Sequence, residues 1–151
     1  MSTDGTIVAI CTSPKKGTAK TERETVTVLP DHGFQGDAHA GNWHRQVSLL
    51  SCEQVDAFRE QGGQVENGAF GENLLIRGID LARLPLGTRL RSGEVLLEVT
   101  QIGKECHAHC AIYHQVGDCI MPREGIFARV RSGGILKKGD KIHAESPHNN
   151  Q

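Results

Sequence analysis

Short apolar runs alternate with turn-forming residues along the chain, a pattern that predicts many short strands in place of long helices. Residues 6–11 (Thr-Ile-Val-Ala-Ile-Cys) read as a first strand, and residues 25–29 (Thr-Val-Thr-Val-Leu) alternate with period two until Pro30 and Gly33 interrupt them. A strand over 46–50 leads into Ser51 and Gln54, which have the spacing of a capping box, with Val55 and Phe58 sharing one helical face. That helix is expected over 52–61, stopped by Gly62 and Gly63. Residues 73–76 predict another strand. Residues 88–91 and 94–102 flank Ser92 and Gly93 as a hairpin, with Val95, Leu97 and Val99 facing one way and Glu94, Leu96 and Glu98 the other. Short closing elements at 126–130 and 141–143 lie around turns at Gly133-Gly134 and Gly139-Asp140. The pattern describes a mainly β domain with a few short helices, closed as a β-barrel.

A chain of 151 residues with 37% hydrophobic content has material for one core and little for a second, so one domain is expected over 1–145, with 146–151 as a disordered tail. The formal charge of −1 removes the global basic field on which sequence-independent nucleic-acid binding relies, so no nucleic-acid partner is expected. Any anionic ligand must meet local cations instead. The amino terminus has neither the basic start nor the apolar stretch of a secretory signal, and no segment is apolar for long enough to span a bilayer. A cytoplasmic protein with no membrane partner is the expectation. Its thiols then stay reduced, and a cysteine cluster reads as metal-binding, catalytic or redox-active.

Three of the five cysteines, Cys106, Cys110 and Cys119, fall in one polar stretch with His107, His109 and His114 interleaved. A soft sulfur beside cations suits a thiolate nucleophile, a persulfide carrier or a soft-metal ligand. The strand ending at Ile102 feeds directly into this stretch, which puts Cys106 in a loop at a strand end. Lys104, His107 and Arg123, if close in space, favour the Cys106 thiolate. A closed zinc site would combine all three cysteines with one histidine, although paired C-x-x-C knuckles are lacking. Cys11 and Cys52 read as small buried hydrophobes. The basic loop Ser13-Pro14-Lys15-Lys16-Gly17-Thr18 and the glycine-punctuated run 33–47, carrying His39, His44 and Arg45, offer contacts to an anion. Glu72 and Asn73, directly before a buried strand, either bond backbone at a barrel mouth or reach a ligand.

These segments together resemble the MOSC family, named for the C-terminal domain of molybdenum cofactor sulfurases, and specifically a short stand-alone bacterial-type member. The matches are Phe70-Gly71-Glu72-Asn73-Leu74, the loop Gly36-Asp37-Ala38-His39-Ala40-Gly41 with Arg45 and Val47 after it, and a cysteine following the Gly93-Glu94-Val95 strand. Cys106 lies where family members place their signature cysteine. The resemblance implies a MOSC-type β-barrel and molybdenum cofactor (molybdopterin) binding, with Cys106 as the metal ligand. It also implies that Ser13, Lys15 and Lys16 hold the phosphate and that His39 and Arg45 line the cofactor or anion site; as a further cation, Arg123 is expected to support the cysteine or the ligand. Ala38 stands where the loop often carries Arg.

The implied function is sulfur transfer or cofactor maturation, with Cys106 carrying a persulfide and Cys110 or Cys119 resolving it. A cysteine desulfurase is the implied donor, and cofactor-biosynthesis proteins or molybdoenzymes are the implied partners. No segment matching the pyridoxal-phosphate desulfurase domain of larger relatives is seen in these 151 residues, and no bound pyridoxal phosphate is expected. The alternatives are a molybdenum-dependent reductase of N-hydroxylated compounds and a non-enzymatic zinc- or other metal-binding module.

Overall fold

A computed structural model describes residues 3–15, 19–103 and 124–146. Its main body is a seven-stranded barrel in the order β11-β7-β8-β9-β5-β6-β1, closed by pairing of β1 with β11. The ring uses β1 (Asp4–Thr12), β5 (Val47–Ser51), β6 (Leu74–Arg77), β7 (Arg89–Ser92), β8 (Val95–Ile102), β9 (Ile126–Ser132) and β11 (Lys141–Glu145). Closure removes the unpaired edges that an open sheet would present. The short strand β2 (Thr21–Arg23) pairs onto the far half of β1. A separate three-stranded sheet combines β3 (Thr25–Leu29), β4 (Gly33–Phe34) and β10 (Gly134–Lys137) in the order β10-β3-β4.

One pair in the ring is parallel: β5 beside β6, with Leu49 opposite Leu74. A parallel neighbour requires a crossover, and α1 (Cys52–Glu60) supplies it. This explains why β5 is buried at every position. Val47 and Leu49 enter the barrel core, whereas Leu50 joins a smaller cluster with Val55 and Phe58 of α1. Phe58 meets Phe70 edge to face with ring centroids 5.1 Å apart.

The first strand serves both cores through a bulge. Its pairing with β6 shifts register between Ile7 and Ala9. Ile7 and Ile10 both lie in the barrel core, three residues apart, while Ala9 and Cys11 face the helix-side cluster. Strict alternation would have sent Ile10 outward, so the extra residue re-aims the end of the strand. Cys11 and Cys52 are buried as the sequence implies, and burial pushes the Cys11 thiol up to about 12 and the Cys52 thiol upward as well.

Several expectations need correction. Ser51 makes no side-chain cap to α1; its hydroxyl donates to the carbonyl of Ile79 at 2.8 Å and accepts from the Leu81 amide at 3.0 Å. The capping-box spacing is therefore present without the box, because a buried loop competes for the same hydroxyl. Gly134 begins β10 and does not simply close a turn, and β2 and β4 were not expected. The hairpin spans β7 and β8 with Gly93 at φ +59° in its turn. Residues 147–151, assigned to the tail, lie outside the described residues.

Candidate functional site

Ser13 follows directly from β1, Asn73 immediately precedes β6, and the loop 36–46 links β4 to β5. Asn73 is fully buried and ties these strands together. Its Oδ1 accepts from the Ser48 amide at 2.9 Å and from the Ser48 hydroxyl at 3.2 Å, and its Nδ2 donates to the Cys11 carbonyl at 3.1 Å. Glu72 is also fully buried, and its two carboxylate oxygens accept from the amides of Gly68 (2.7 Å) and Phe70 (3.0 Å). Of the two readings left open by the sequence, these bonds are the backbone one. Burial pushes the Glu72 carboxyl up, against the pull of its amide donors.

Asp37 occupies the centre of the next layer. Its Oδ1 accepts from the Ser13 amide (3.0 Å) and the Lys20 ammonium (2.8 Å), and its Oδ2 from the His39 amide (3.1 Å). The Lys20 and Asp37 side chains are 1% and 0% exposed. Burial alone would raise the Asp37 carboxyl, but the bonds from Lys20, the Ser13 amide and Asn73 outweigh it and hold the group below the ordinary aspartate range. Ser13 Oγ donates to the carbonyl of Lys15 at 3.1 Å, and Lys15 itself is exposed. Gly68 lets this layer close: its φ is +90°, and a Cβ there would sit 2.2 Å from the Lys20 carbonyl oxygen.

A row of rings and cations leads outward along the same loop. His39 and Trp43 are stacked at 6.5 Å, and the Trp43 indole donates to the His39 carbonyl at 2.7 Å. The Arg45 guanidinium lies 5.9 Å from the Trp43 ring and 5.1 Å from Phe127. Gln101 Oε1 receives Arg45 Nε at 3.0 Å and pairs with His44 Nε2 at 2.8 Å. Among the described residues only the Nε of Arg45 is hydrogen-bonded, so the fork of its two terminal nitrogens is left for another acceptor. The loop's last residue, Gln46, is fully buried and donates to the Gly41 carbonyl (2.9 Å) while accepting from the Val130 amide (2.9 Å).

Gln101 also joins this row to the cysteine-bearing stretch. Its Nε2 donates to the Gly103 carbonyl at 2.7 Å, and the Gly103 amide donates to the Gly125 carbonyl at 2.6 Å. Gly103 and Gly125, which flank that stretch in sequence, are thus bonded to each other. Cys106, Cys110, Cys119, Arg123 and Lys16, together with His107, His109 and His114, lie outside the described residues. Among the described residues no group of three or more His, Cys, Asp or Glu side chains is placed to hold a metal. No helix among them is long and apolar enough to cross a membrane.

The structure thus brings Ser13, His39, Glu72 and Asn73 into one bonded neighbourhood and joins Arg45 to it through Trp43. Sequence reasoning missed Lys20, Trp43 and Gln101. Nothing in the spacing of Lys20 separates it from Lys15 or Lys16; only its burial does. Trp43 carried a signal, as the chain's one tryptophan inside a glycine-punctuated loop.

Comparison with solved structures agrees with this architecture. The YuaD protein from Bacillus subtilis superposes with a TM-score of 0.81 at 18% identity, covering 96% of this chain and 97% of its own. YiiM from Geobacillus stearothermophilus gives 0.72 at 24% identity over 94% and 75% of the two chains, and YiiM from Escherichia coli 0.65 at 18% over 96% and 72%. At these identities the likeness is one of fold. No curated protein matches the chain. A family model for the MOSC domain matches residues 36–143, a span that opens at the Gly36-Asp37 loop and runs into β11, and on that match the chain belongs to the MOSC domain family.

Proposed function

We propose that this protein binds the molybdenum cofactor and serves sulfur transfer or cofactor maturation through the Cys106 thiolate. The observation that carries the reading is Arg45: a guanidinium packed against Trp43 and Phe127, aimed by Gln101, with its terminal fork not engaged by any described residue. A fork held in one orientation suits a phosphate or another oxyanion better than a mobile surface lysine does. This donor set fits an anionic cofactor. Arg45 and His39 would meet its anionic groups, Ser13 and Lys15 its phosphate, and Cys106 its soft metal.

When bound, the cofactor supplies a molybdenum centre able to take up a sulfur ligand. The chain's own part is to deliver that sulfur. In sequence Cys106 follows Gly103, whose carbonyl accepts from Gln101. When not coordinated to metal, the Cys106 thiolate would attack the outer sulfur of a desulfurase persulfide, releasing the donor cysteine as thiolate. Attack on Cys106 Sγ by Cys110 or Cys119 would then release hydrosulfide to the acceptor and leave a disulfide, which an external dithiol reduces.

A sulfur-35 transfer assay from a cysteine desulfurase tests the reading. The parent protein is expected to take up label that a reductant removes, and Cys106→Ser to take up less than about a tenth of it while keeping its far-ultraviolet spectrum. Equal labelling of the two proteins would remove Cys106 from the carrier role. A reductase of N-hydroxylated compounds is the competing outcome, shown by turnover with an artificial electron donor and no sulfur uptake.

A further inference from the structure

The basic loop after β1 and the loop 36–46 come from distant parts of the sequence, yet they must hold a fixed relation if both are to grip one ligand. Two hydrogen bonds join them directly, and Lys20 bridges them with two more. The Ser13 amide donates to Asp37 Oδ1, the Ala38 amide donates back to the Ser13 carbonyl at 2.7 Å, and the Lys20 ammonium bonds both Asp37 Oδ1 and, at 3.2 Å, Ser13 Oγ. The anchor is sealed: both charged side chains are almost fully excluded from solvent.

We propose that Asp37 and Lys20 form a buried latch that fixes the Ser13–Lys15 loop against the loop carrying His39, Trp43 and Arg45, making both residues positioning residues of the oxyanion site. Neither charge is offered to the ligand, since each is already committed to the other. Their influence runs through the backbone. Asp37 Oδ2 holds the His39 amide, the His39 carbonyl holds the Trp43 indole, and Trp43 lies beneath Arg45. A buried pair of this kind adds little net stability over an apolar replacement, but it imposes one geometry and penalises any state that separates the partners. The Gly68 close approach to the Lys20 carbonyl supports the same assignment, because it pins the backbone from which the ammonium projects.

The latch rests on the oxyanion-site reading given above, and the two can fail separately. Trp43, the chain's one tryptophan, reports on the loop whether or not a ligand binds. The variants are Asp37→Asn, Lys20→Met and the double variant, which leaves no uncompensated buried charge and so keeps the test open if a single variant fails to fold. Two quantities are read: acrylamide quenching of Trp43, and affinity for inorganic sulfate, titrated as a tetrahedral oxyanion. Loss of the latch is expected to raise the quenching constant about twofold and weaken sulfate about tenfold, the scale seen when supporting partners of a binding group are removed. Folded variants that match the parent in both quantities would overturn the latch. Weak sulfate binding by the parent itself, with quenching still raised in the variants, would uphold the latch and count against the oxyanion site.

Discussion

The two halves of the candidate site treat their polar groups in opposite ways. Around Asp37 and Asn73 the donors and acceptors face one another, out of water, and the bonding is internal. Around Arg45 the side chain is packed and aimed but only half-buried, with its terminal nitrogens not hydrogen-bonded to any described residue. The difference separates what holds the site from what meets a ligand. A buried, mutually bonded ion pair fixes shape, whereas an aimed but unsaturated guanidinium keeps binding capacity.

The largest effect is expected from breaking the first half. Asp37→Ala leaves the Lys20 ammonium buried without its partner, which costs about 3–5 kcal/mol by urea unfolding. Acid should reveal the same dependence. Because the folded Asp37 carboxyl sits below its unfolded value, its contribution is complete above the ordinary carboxylate range and is lost as pH falls through the depressed folded value. Glu22 and Asp31, also held low by Lys138 and Arg129, add to that loss. Glu72 works the other way: its raised carboxyl favours the folded state at low pH, and that benefit disappears as pH rises through the raised value. Melting temperature against pH should therefore fall more steeply on the acid side for the parent than for Asp37→Asn; equal slopes would deny Asp37 this role. The smallest stability effect belongs to the second half. Arg45→Gln should change unfolding free energy by no more than about 0.5 kcal/mol while weakening inorganic sulfate about tenfold, since a charge-assisted pair contributes roughly 1.5–3 kcal/mol.

The sequence revealed most where one physical signal dominates. Thr25–Leu29 alternates cleanly, and its ends match the strand found. The helix at Cys52–Glu60 is readable from Val55 and Phe58 and from the glycines beyond it. Strands without an apolar signal were invisible: β2 is exposed at all three positions, and β4 is only two residues long. In the site, the motif around Glu72 and Asn73 was legible as a motif, but its use was not, because which backbone groups need partners depends on strands far away in sequence. Lys20 shows the same limit. Burial is a property of the fold, and a lysine placed among other lysines does not announce that it will pair with Asp37, 17 residues later.

Purifying the full chain from a host that makes the molybdenum cofactor, and measuring molybdenum, pterin and zinc in the same sample, tests the central claim most directly. The account predicts molybdenum and pterin in equal amounts approaching one per chain, both reduced in Arg45→Gln and molybdenum reduced in Cys106→Ser. Stoichiometric zinc with no pterin would contradict it.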